Sequence, residues 1–450
     1  MTLRNATFAG LLLATAARAA DPVSASGPLR LDLPLLDLGF NVSHGGQAPS
    51  MAQSLAVARD FSTSLAWAVD LALDRAWGEN DPRGRWALEL PLLALAAAAS
   101  MELPFFPGWS HEEFHRAVMS RRGISSYDEV WDLKVFSEFV SVSRVSDDDL
   151  VRLKRDHPAE MARLSAAGME GDIELARAIA ADGFFGRRDR LVHLPLLLLT
   201  RLGVTFYMWE CDSASGDALT DRMNAREADP RRRDFTGLDC VGWAYDVQRP
   251  DEPYEARGPH PSGVGLNRYR KTTDLTPEER RLLTRARWLS LLNLADLSLW
   301  PVDLPVPWGP PGSRFTFGFA HQMTSFGEAV TLDLYLGLPG ADLRGAGRLY
   351  LSQHLALPGL EVEWVRAPLV VGGARLQVTP GAMVWLQPSR GRWDDGTASP
   401  GAQLELRVAW LLSPVVAAFA EIQVKTAGWV AGTVLLGAGM EGRLGLQAVL

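Results

Sequence analysis

The amino-acid sequence predicts an α+β protein in which a mainly helical N-terminal domain is followed by an antiparallel β-barrel or sandwich. Over 50–300 the apolar residues recur at spacings of three and four, whereas after Gly312 they alternate with polar residues. Between these regions, the proline-rich stretch 300–312 cannot be helical, because proline fixes φ and removes a backbone donor. We therefore expect a helical domain over 20–305 and a β-domain over 313–450.

In the helical half, the periodicity is clearest in five segments, and it predicts helices over 51–77, 86–101, 147–164, 172–182 and 277–300. The apolar runs within this half are too short or too interrupted to cross a membrane, which takes roughly twenty apolar residues, so we interpret them as buried helices. The polar section 213–273 lacks periodicity, and we expect long loops there.

In the β-half, turn signals such as Pro358-Gly359 and Gly372-Gly373 separate about eight to ten alternating runs, enough strands to close a small barrel. Alternation alone does not tell which face meets water. A soluble barrel or sandwich turns its leucines inward, whereas a transmembrane barrel turns them toward lipid. This half resembles a small outer-membrane-type β-barrel, and the soluble arrangement is the alternative.

The N-terminus has the pattern of an export signal over 1–19, with Arg4, an apolar stretch over 6–16 and a small-x-small cleavage site. We therefore expect an exported protein of the outer membrane or periplasm. Export makes a disulfide between Cys211 and Cys240 the favoured interpretation, with two buried thiols as the alternative.

Composition excludes several classes of protein. The chain has 450 residues, of which 47% are hydrophobic and 22% charged, so it is neither disordered nor a small disulfide scaffold. Its net charge is -8, and its basic clusters are short. A nucleic-acid partner is therefore not expected.

The pattern H-E-x-x-H occurs once, over 111–115. Residues four apart share one face of a helix, so the imidazoles of His111 and His115 can reach one metal ion. Ser110 followed by a glutamate three residues later has the pattern of a capping box, which predicts Ser110 as the N-cap of a helix. A helix that begins earlier remains the alternative. Gly123 is a suitable stop signal.

Through this motif the chain resembles the HExxH zinc metallopeptidases. The resemblance implies that His111 and His115 are zinc ligands and that Glu112 is the general base. Zinc brings the pKa of its water toward neutrality, and a neighbouring carboxylate accepts the proton as the water attacks.

Within that group, the resemblance is to the gluzincins, in which a later helix supplies a glutamate as third ligand. It implies that Glu170 is this ligand. It also implies that Glu174 occupies the position of an aspartate that would hold a ligand histidine from behind. Other side chains remain open as rivals for the third ligand, namely Asp128, Glu129, Asp132, His157 and Asp172.

The resemblance covers 110–174 and carries no information on the substrate beyond a peptide or protein. The sequence thus predicts an exported, membrane-associated zinc metallopeptidase. Two alternatives remain open: a non-enzymatic outer-membrane barrel with a structural or transport role, and a zinc site that serves stability alone.

Overall fold

The architecture is α+β, as predicted. A computed structural model describes residues 29–39, 48–77, 82–133, 140–186, 190–300, 303–307 and 309–449. The predicted export signal over 1–19 lies outside these residues. The described helices are α1 (Met51–Trp77), α2 (Pro82–Ser100), α3 (Pro107–Arg121), α4 (Asp147–Asp156), α5 (Pro158–Phe185), α6 (Arg190–Cys211), α7 (Ala214–Arg226), α8 (Asp239–Gln248) and α9 (Pro277–Leu289).

The strands form one large antiparallel sheet and one short pair. The strands are β1 (Arg30–Asp37), β2 (Tyr127–Asp128), β3 (Val142–Ser143), β4 (Leu304–Pro305), β5 (Arg314–Thr324), β6 (Gly327–Leu338), β7 (Ala341–Leu351), β8 (Ala356–Val365), β9 (Ala367–Val371), β10 (Ala374–Pro388), β11 (Ala398–Leu411), β12 (Val416–Lys425) and β13 (Gly439–Val449). The order of the large sheet is β1-β13-β12-β11-β10-β8-β7-β6-β5-β4, and β9 pairs with β10. Strand β1 thus brings a segment of the N-terminal half into this sheet.

The sheet is not closed into a barrel, which corrects the barrel prediction. In the described part of the chain, β1 and β4 form its two ends and do not pair with each other. Strand β1 packs on helix α1, and strand β5 packs on helix α5 and on the turn Ser290–Leu294. Helices therefore contact strands near both ends of the sheet.

The two faces of the sheet differ in polarity. Toward the helices, Arg177 of α5 makes an ion pair with Asp333, and Glu361 makes ion pairs with Arg344 and Arg348. The neighbouring positions on the same strands point away from the helices and are apolar. Their exposed side chains include Leu360, Val362, Trp364, Leu404, Leu406, Ile422 and Val424. The ion pairs of the sheet thus lie inside the protein, and a set of large apolar side chains faces outward.

Helix α5 lies at the centre of the helical half and packs on α3, α4, α6 and α8. Nearly all of its side chains are buried. The prediction of one helix over 147–164 is wrong in detail, since α4 ends before His157 and α5 begins at Pro158. Proline at the first helical position needs no backbone hydrogen bond and therefore starts a new helix readily.

The predicted loop section 213–273 also contains helices α7 and α8. Every side chain from Asp239 to Val247 in α8 is buried. A helix that is buried all round has no polar face, so its sequence does not show amphipathic periodicity.

One described segment, Val192–Cys211, is long and apolar enough to cross a membrane by length and composition, but 72% of its most apolar window is buried within the protein.

Candidate metal centre

Helix α3 carries the H-E-x-x-H motif and begins earlier than the capping pattern predicts, which is the alternative that the sequence left open. Its first residue is Pro107, preceded by Phe106 as N-cap. The Ser110 hydroxyl donates a hydrogen bond to the Pro107 carbonyl and does not cap the helix. Proline suits the first helical position because it has no N–H to satisfy and its φ is already helical. The earlier start places His111 in the second turn, and the positive φ of Gly123 lies just beyond the helix end as expected.

Three side chains of the motif helix and of α8 converge on one point. Nε2 of His111 lies 3.0 Å from Oδ2 of Asp239, and Nε2 of His115 lies 3.2 Å from the same oxygen. The two rings are 5.1 Å apart between centroids. The ligand atoms of these residues lie within 4.8 Å of one another, so one ion can contact all of them.

The opposite nitrogen of each imidazole is held by an oxygen. Nδ1 of His111 lies 2.8 Å from Oδ2 of Asp172, and Nδ1 of His115 lies 2.6 Å from the Leu164 carbonyl oxygen. These acceptors favour the tautomers that carry the proton on Nδ1, which leaves a lone pair on each Nε2. Two lone pairs and a carboxylate oxygen therefore face one another. Such an arrangement requires a cation between them, either a proton or a metal ion.

The donor set matches zinc. Imidazole nitrogen and carboxylate oxygen are ordinary zinc ligands, and three protein ligands leave a fourth position open. The hydrogen bonds on the far side of the two histidines are those that usually orient zinc-bound imidazoles.

Helix α5 approaches the two imidazoles through a glycine. A Cβ atom built on Gly168 would overlap Nε2 of both His111 and His115. One turn later on the same helix, Asp172 reaches Nδ1 of His111. The backbone of helix α5 thus lies close to the two imidazoles at Gly168, and the same helix supplies Asp172 as a hydrogen-bond acceptor.

The predicted disulfide between Cys211 and Cys240 is confirmed, and it lies beside the site. It joins the end of α6 to the start of α8, directly next to Asp239. The Tyr207 hydroxyl, one turn before Cys211, accepts a hydrogen bond of 3.0 Å from the Asp239 backbone N–H. The disulfide and this hydrogen bond together position the carboxylate that faces the histidines.

Electrostatics at the site favour positive charge between the imidazoles and the carboxylate. Burial opposes ionisation of Asp239, but His115 and His111 lower its pKa to about 2. Burial alone would lower the pKa of His111, but Asp172 and Asp239 raise it well above the ordinary value. The site therefore supports a bound cation.

Glu112 follows the first ligand histidine and lies in an acidic environment. Burial raises its pKa well above the ordinary value, and the charges of Asp128, Asp234 and Asp239 add to this effect, whereas His111 opposes it. Within the described residues its carboxylate has no hydrogen-bond partner, although its side chain is buried. These causes favour the protonated form of Glu112, and a cation held by the neighbouring histidines would oppose them.

The structure corrects the prediction that Glu170 is the third ligand. Its carboxylate accepts hydrogen bonds from Arg163 at 2.7 Å, from the Gly432 backbone at 2.8 Å and from Trp429 Nε1 at 3.2 Å. Position 170 is two residues from Gly168, and side chains two apart on a helix point in different directions. Glu170 therefore faces the loop between β12 and β13, and Asp239 takes the place predicted for it.

Glu174 likewise does not support a ligand histidine. It makes an ion pair with Arg177 at 2.8 Å and accepts a hydrogen bond of 2.6 Å from Gln322, on the side of α5 that faces the sheet. Asp172 is the carboxylate that contacts Nδ1 of His111. Among the other rivals, Asp128 accepts a hydrogen bond from the Val130 backbone N–H, and His157 is the C-cap of α4.

Sequence reasoning did not identify Asp239 or Tyr207. Asp239 lies 128 residues from His111, so local spacing contains no trace of the contact. The predicted disulfide was the sequence feature that could have indicated both residues, because Asp239 directly precedes Cys240 and Tyr207 lies one helical turn before Cys211.

Comparisons with known proteins add no family to this description. No protein-family model matches the chain, and no curated protein matches it. The functional argument therefore rests on the site itself.

Proposed function

We propose that this chain is a zinc-dependent hydrolase acting on peptide bonds, with His111, His115 and Asp239 as the metal ligands and Glu112 as the general base. One observation carries the proposal. Both Nδ1 atoms are held by oxygen acceptors, so both Nε2 lone pairs face a single oxygen of Asp239.

The residues around this point have the properties that hydrolysis requires. A zinc ion supplies Lewis acidity and lowers the pKa of water toward neutrality. The Glu112 carboxylate, which lies beside His111, would take the proton from the attacking water and deliver it to the leaving amine. Peptides are proposed as the substrate class only because the motif resembles that of the zinc metallopeptidases.

Tyr207 is suited to stabilise negative charge on the substrate. Burial and the neighbouring Asp239 raise its pKa well above the ordinary value, so the hydroxyl keeps its proton. Its oxygen already accepts the Asp239 N–H, which leaves the O–H to donate to an oxyanion. The Tyr207 ring is 6.3 Å from the His111 ring between centroids.

Metal analysis of purified protein tests the ligand assignment. We expect about one zinc per chain in the wild type and loss of zinc in His111→Ala and Asp239→Asn. Glu170→Gln is the matched control, because it removes a buried carboxylate of α5 that does not face the histidines. Zinc retained in Asp239→Asn but lost in Glu170→Gln would overturn the assignment.

Activity on peptide substrates then separates catalysis from a structural role. Glu112→Gln should retain zinc and lose turnover by a factor of about 100 or more, because only the proton acceptor is removed. Tyr207→Phe should retain zinc and lower kcat more than it raises KM. If the wild type holds zinc but Glu112→Gln has unchanged activity on every substrate that the wild type cleaves, the metal serves stability alone.

A second proposal concerns location, and the polarity of the sheet supports it. We propose that the outward face of the sheet contacts the hydrocarbon of a membrane. Leu404 and Leu360 on this face are 65% and 60% exposed, whereas Glu361 on the alternate face makes ion pairs inside the protein. This polarity is the reverse of that of a soluble sheet and is typical of strands in lipid. Strands β10 and β11, with 15 and 14 residues, exceed the roughly ten residues needed to span the hydrocarbon.

Vesicle flotation tests the location. The wild type should float with phosphatidylcholine vesicles, and the double variant Leu360→Glu/Leu404→Glu should not, because burying two charges in hydrocarbon is costly. The exposed substitution Leu95→Glu on α2 is the control. Failure of the wild type to bind vesicles, or equal loss in the control, would contradict the proposal without affecting the metal assignment.

A further inference from the structure

A cavity of about 190 Å³ lies between the sheet and helices α1 and α5, away from the candidate metal centre. Side chains from β1, β7 and β8 line it, together with others from β10, β11 and β13. Five arginines and three carboxylates are among the lining residues. The cavity therefore carries an excess of positive charge inside the protein.

Three of these arginines already have acidic partners. Arg59 and Arg407 both make ion pairs with Asp32, at 3.1 and 2.7 Å. Arg344 makes ion pairs with Glu361 and Glu363. The Nε donor of Arg344 nevertheless has no hydrogen-bond partner in the described residues.

The other two arginines, Arg30 and Arg366, have no ion-pair partner in the part of the chain that the structure describes. Burial and the neighbouring Arg366 lower the pKa of Arg30, and together they outweigh Asp32 and Asp182, which act to raise it. Arg366 is also held in a left-handed conformation, φ 53°, at the turn from β8 to β9. Its backbone N–H donates to the Thr379 hydroxyl. This bond fixes the backbone of Arg366 at the cavity.

The carboxylates of Asp32 and Asp182 offset part of the repulsion between Arg30 and Arg366, and an anion that contacts both guanidinium groups would offset more of it. Arginine presents paired donors that match the oxygens of a phosphate or carboxylate. The cavity is smaller than the roughly 300–1,000 Å³ of pockets for larger organic ligands. A small anion therefore fits it better than an extended molecule.

We propose that this cavity binds a small oxyanion, of which a phosphate group is the best match, through Arg30 and Arg366. Arg344 and the Thr379 hydroxyl supply further donors at its wall. The site is independent of the proposed zinc chemistry. The phosphate group can belong to a free anion or to a lipid headgroup at the edge of the sheet.

Titration calorimetry with inorganic phosphate tests this inference. The wild type should bind phosphate saturably, and the double variant Arg30→Gln/Arg366→Gln should bind it at least about tenfold more weakly, because two charged hydrogen-bond donors are lost. Arg375→Gln is the matched control, since it removes the same charge from an exposed position on β10 outside the cavity. Its affinity should equal that of the wild type.

Two further measurements complete the test. Without phosphate, the double variant should melt at the same temperature as the wild type or higher, because a repulsion has been removed; this result shows that it is folded. Binding to vesicles that contain phosphatidylglycerol is compared with binding to vesicles of phosphatidylcholine alone. A preference for phosphatidylglycerol that depends on Arg30 and Arg366 identifies a lipid headgroup as the source of the phosphate group. Absence of saturable phosphate binding together with absence of a phosphatidylglycerol preference in the wild type would overturn the proposal, as would equal losses in Arg375→Gln.

Discussion

The backbone of Gly168 lies against Nε2 of both His111 and His115, so that no side chain separates helix α5 from the two imidazoles. Any side chain at this position would occupy the space in which the two nitrogens face Asp239. The glycine therefore serves the geometry of the site, at a helical position where it is otherwise unfavourable by about 1 kcal/mol relative to alanine.

Gly168→Ala should weaken zinc binding by a factor of ten or more, because the new methyl group displaces both imidazoles from their shared position. Competition with a chromophoric chelator measures the affinity. Gly203→Ala in α6 is the control, since a Cβ there meets open space and should leave zinc affinity unchanged while slightly raising stability. Unchanged zinc affinity in Gly168→Ala would show that the ion does not lie between these rings.

Substitutions at Asp172 and Glu174 test which of these two acidic residues of α5 orients the His111 ring. Asp172→Leu should lower zinc affinity by about 10- to 100-fold, because Nδ1 of His111 loses the acceptor that orients the ring. Glu174→Gln should leave zinc affinity unchanged, since Glu174 contacts Arg177 and Gln322. The opposite ranking would favour the arrangement predicted from the gluzincin resemblance.

Removing the disulfide should affect stability and the metal site together. We expect Cys211→Ala/Cys240→Ala to lower the free energy of unfolding by about 2–4 kcal/mol. Zinc affinity should also fall, because Asp239 directly precedes Cys240 in the chain and is positioned by the disulfide. Urea denaturation and chelator competition measure the two effects. Full zinc affinity in a folded double variant would show that the Tyr207 hydrogen bond alone positions Asp239.

The ionic face of the sheet predicts a specific dependence of stability on pH. Although burial opposes its ionisation, Arg348, Arg344 and Arg177 hold the pKa of Glu361 well below its ordinary value of 4.5. Its ionised form therefore stabilises the fold above about pH 4.5, and this contribution is lost as the pH falls further.

Glu361→Gln should accordingly lower the free energy of unfolding by about 2–4 kcal/mol at pH 7. The difference from the wild type should shrink as the pH falls below 4.5. Urea titrations at several pH values measure this difference. Glu278→Gln, on an exposed pair with Arg281, should change little. A difference that stays constant down to pH 3 would contradict the assigned ionic role.

The order of helices and strands could be predicted from the sequence because amphipathic periods are local. Helix α1 has the predicted bounds, and the alternation in the C-terminal half corresponds to strands. Helix α8 was missed because it is buried on all sides, so its residues do not alternate in polarity. The open sheet was also unpredictable, since alternation within a strand is local and does not show whether the two end strands pair with each other.

At the candidate metal centre, the H-E-x-x-H spacing was sufficient to predict that His111 and His115 lie together, because residues four apart share one face of a helix. The role of Glu112 as general base stays a prediction. The third carboxylate was predicted at Glu170 because that residue follows the motif on a suitable helix. Its partner Arg163 lies seven residues away on the same helix, and the loop carrying Gly432 lies 262 residues away. Long-range contacts of this kind, like that of Asp239 with the histidines, have no signature in the spacing of one sequence.

Helix α5 connects the candidate metal centre to the sheet. Its Gly168 side meets the two imidazoles, and its Arg177 makes an ion pair with Asp333 of the sheet. Cutting the chain between its halves would leave that buried guanidinium without its counter-charge and would disturb the same helix that shapes the metal centre. The two halves are therefore interdependent, and a fragment ending before the sheet is a poor source of the metal centre in its native arrangement.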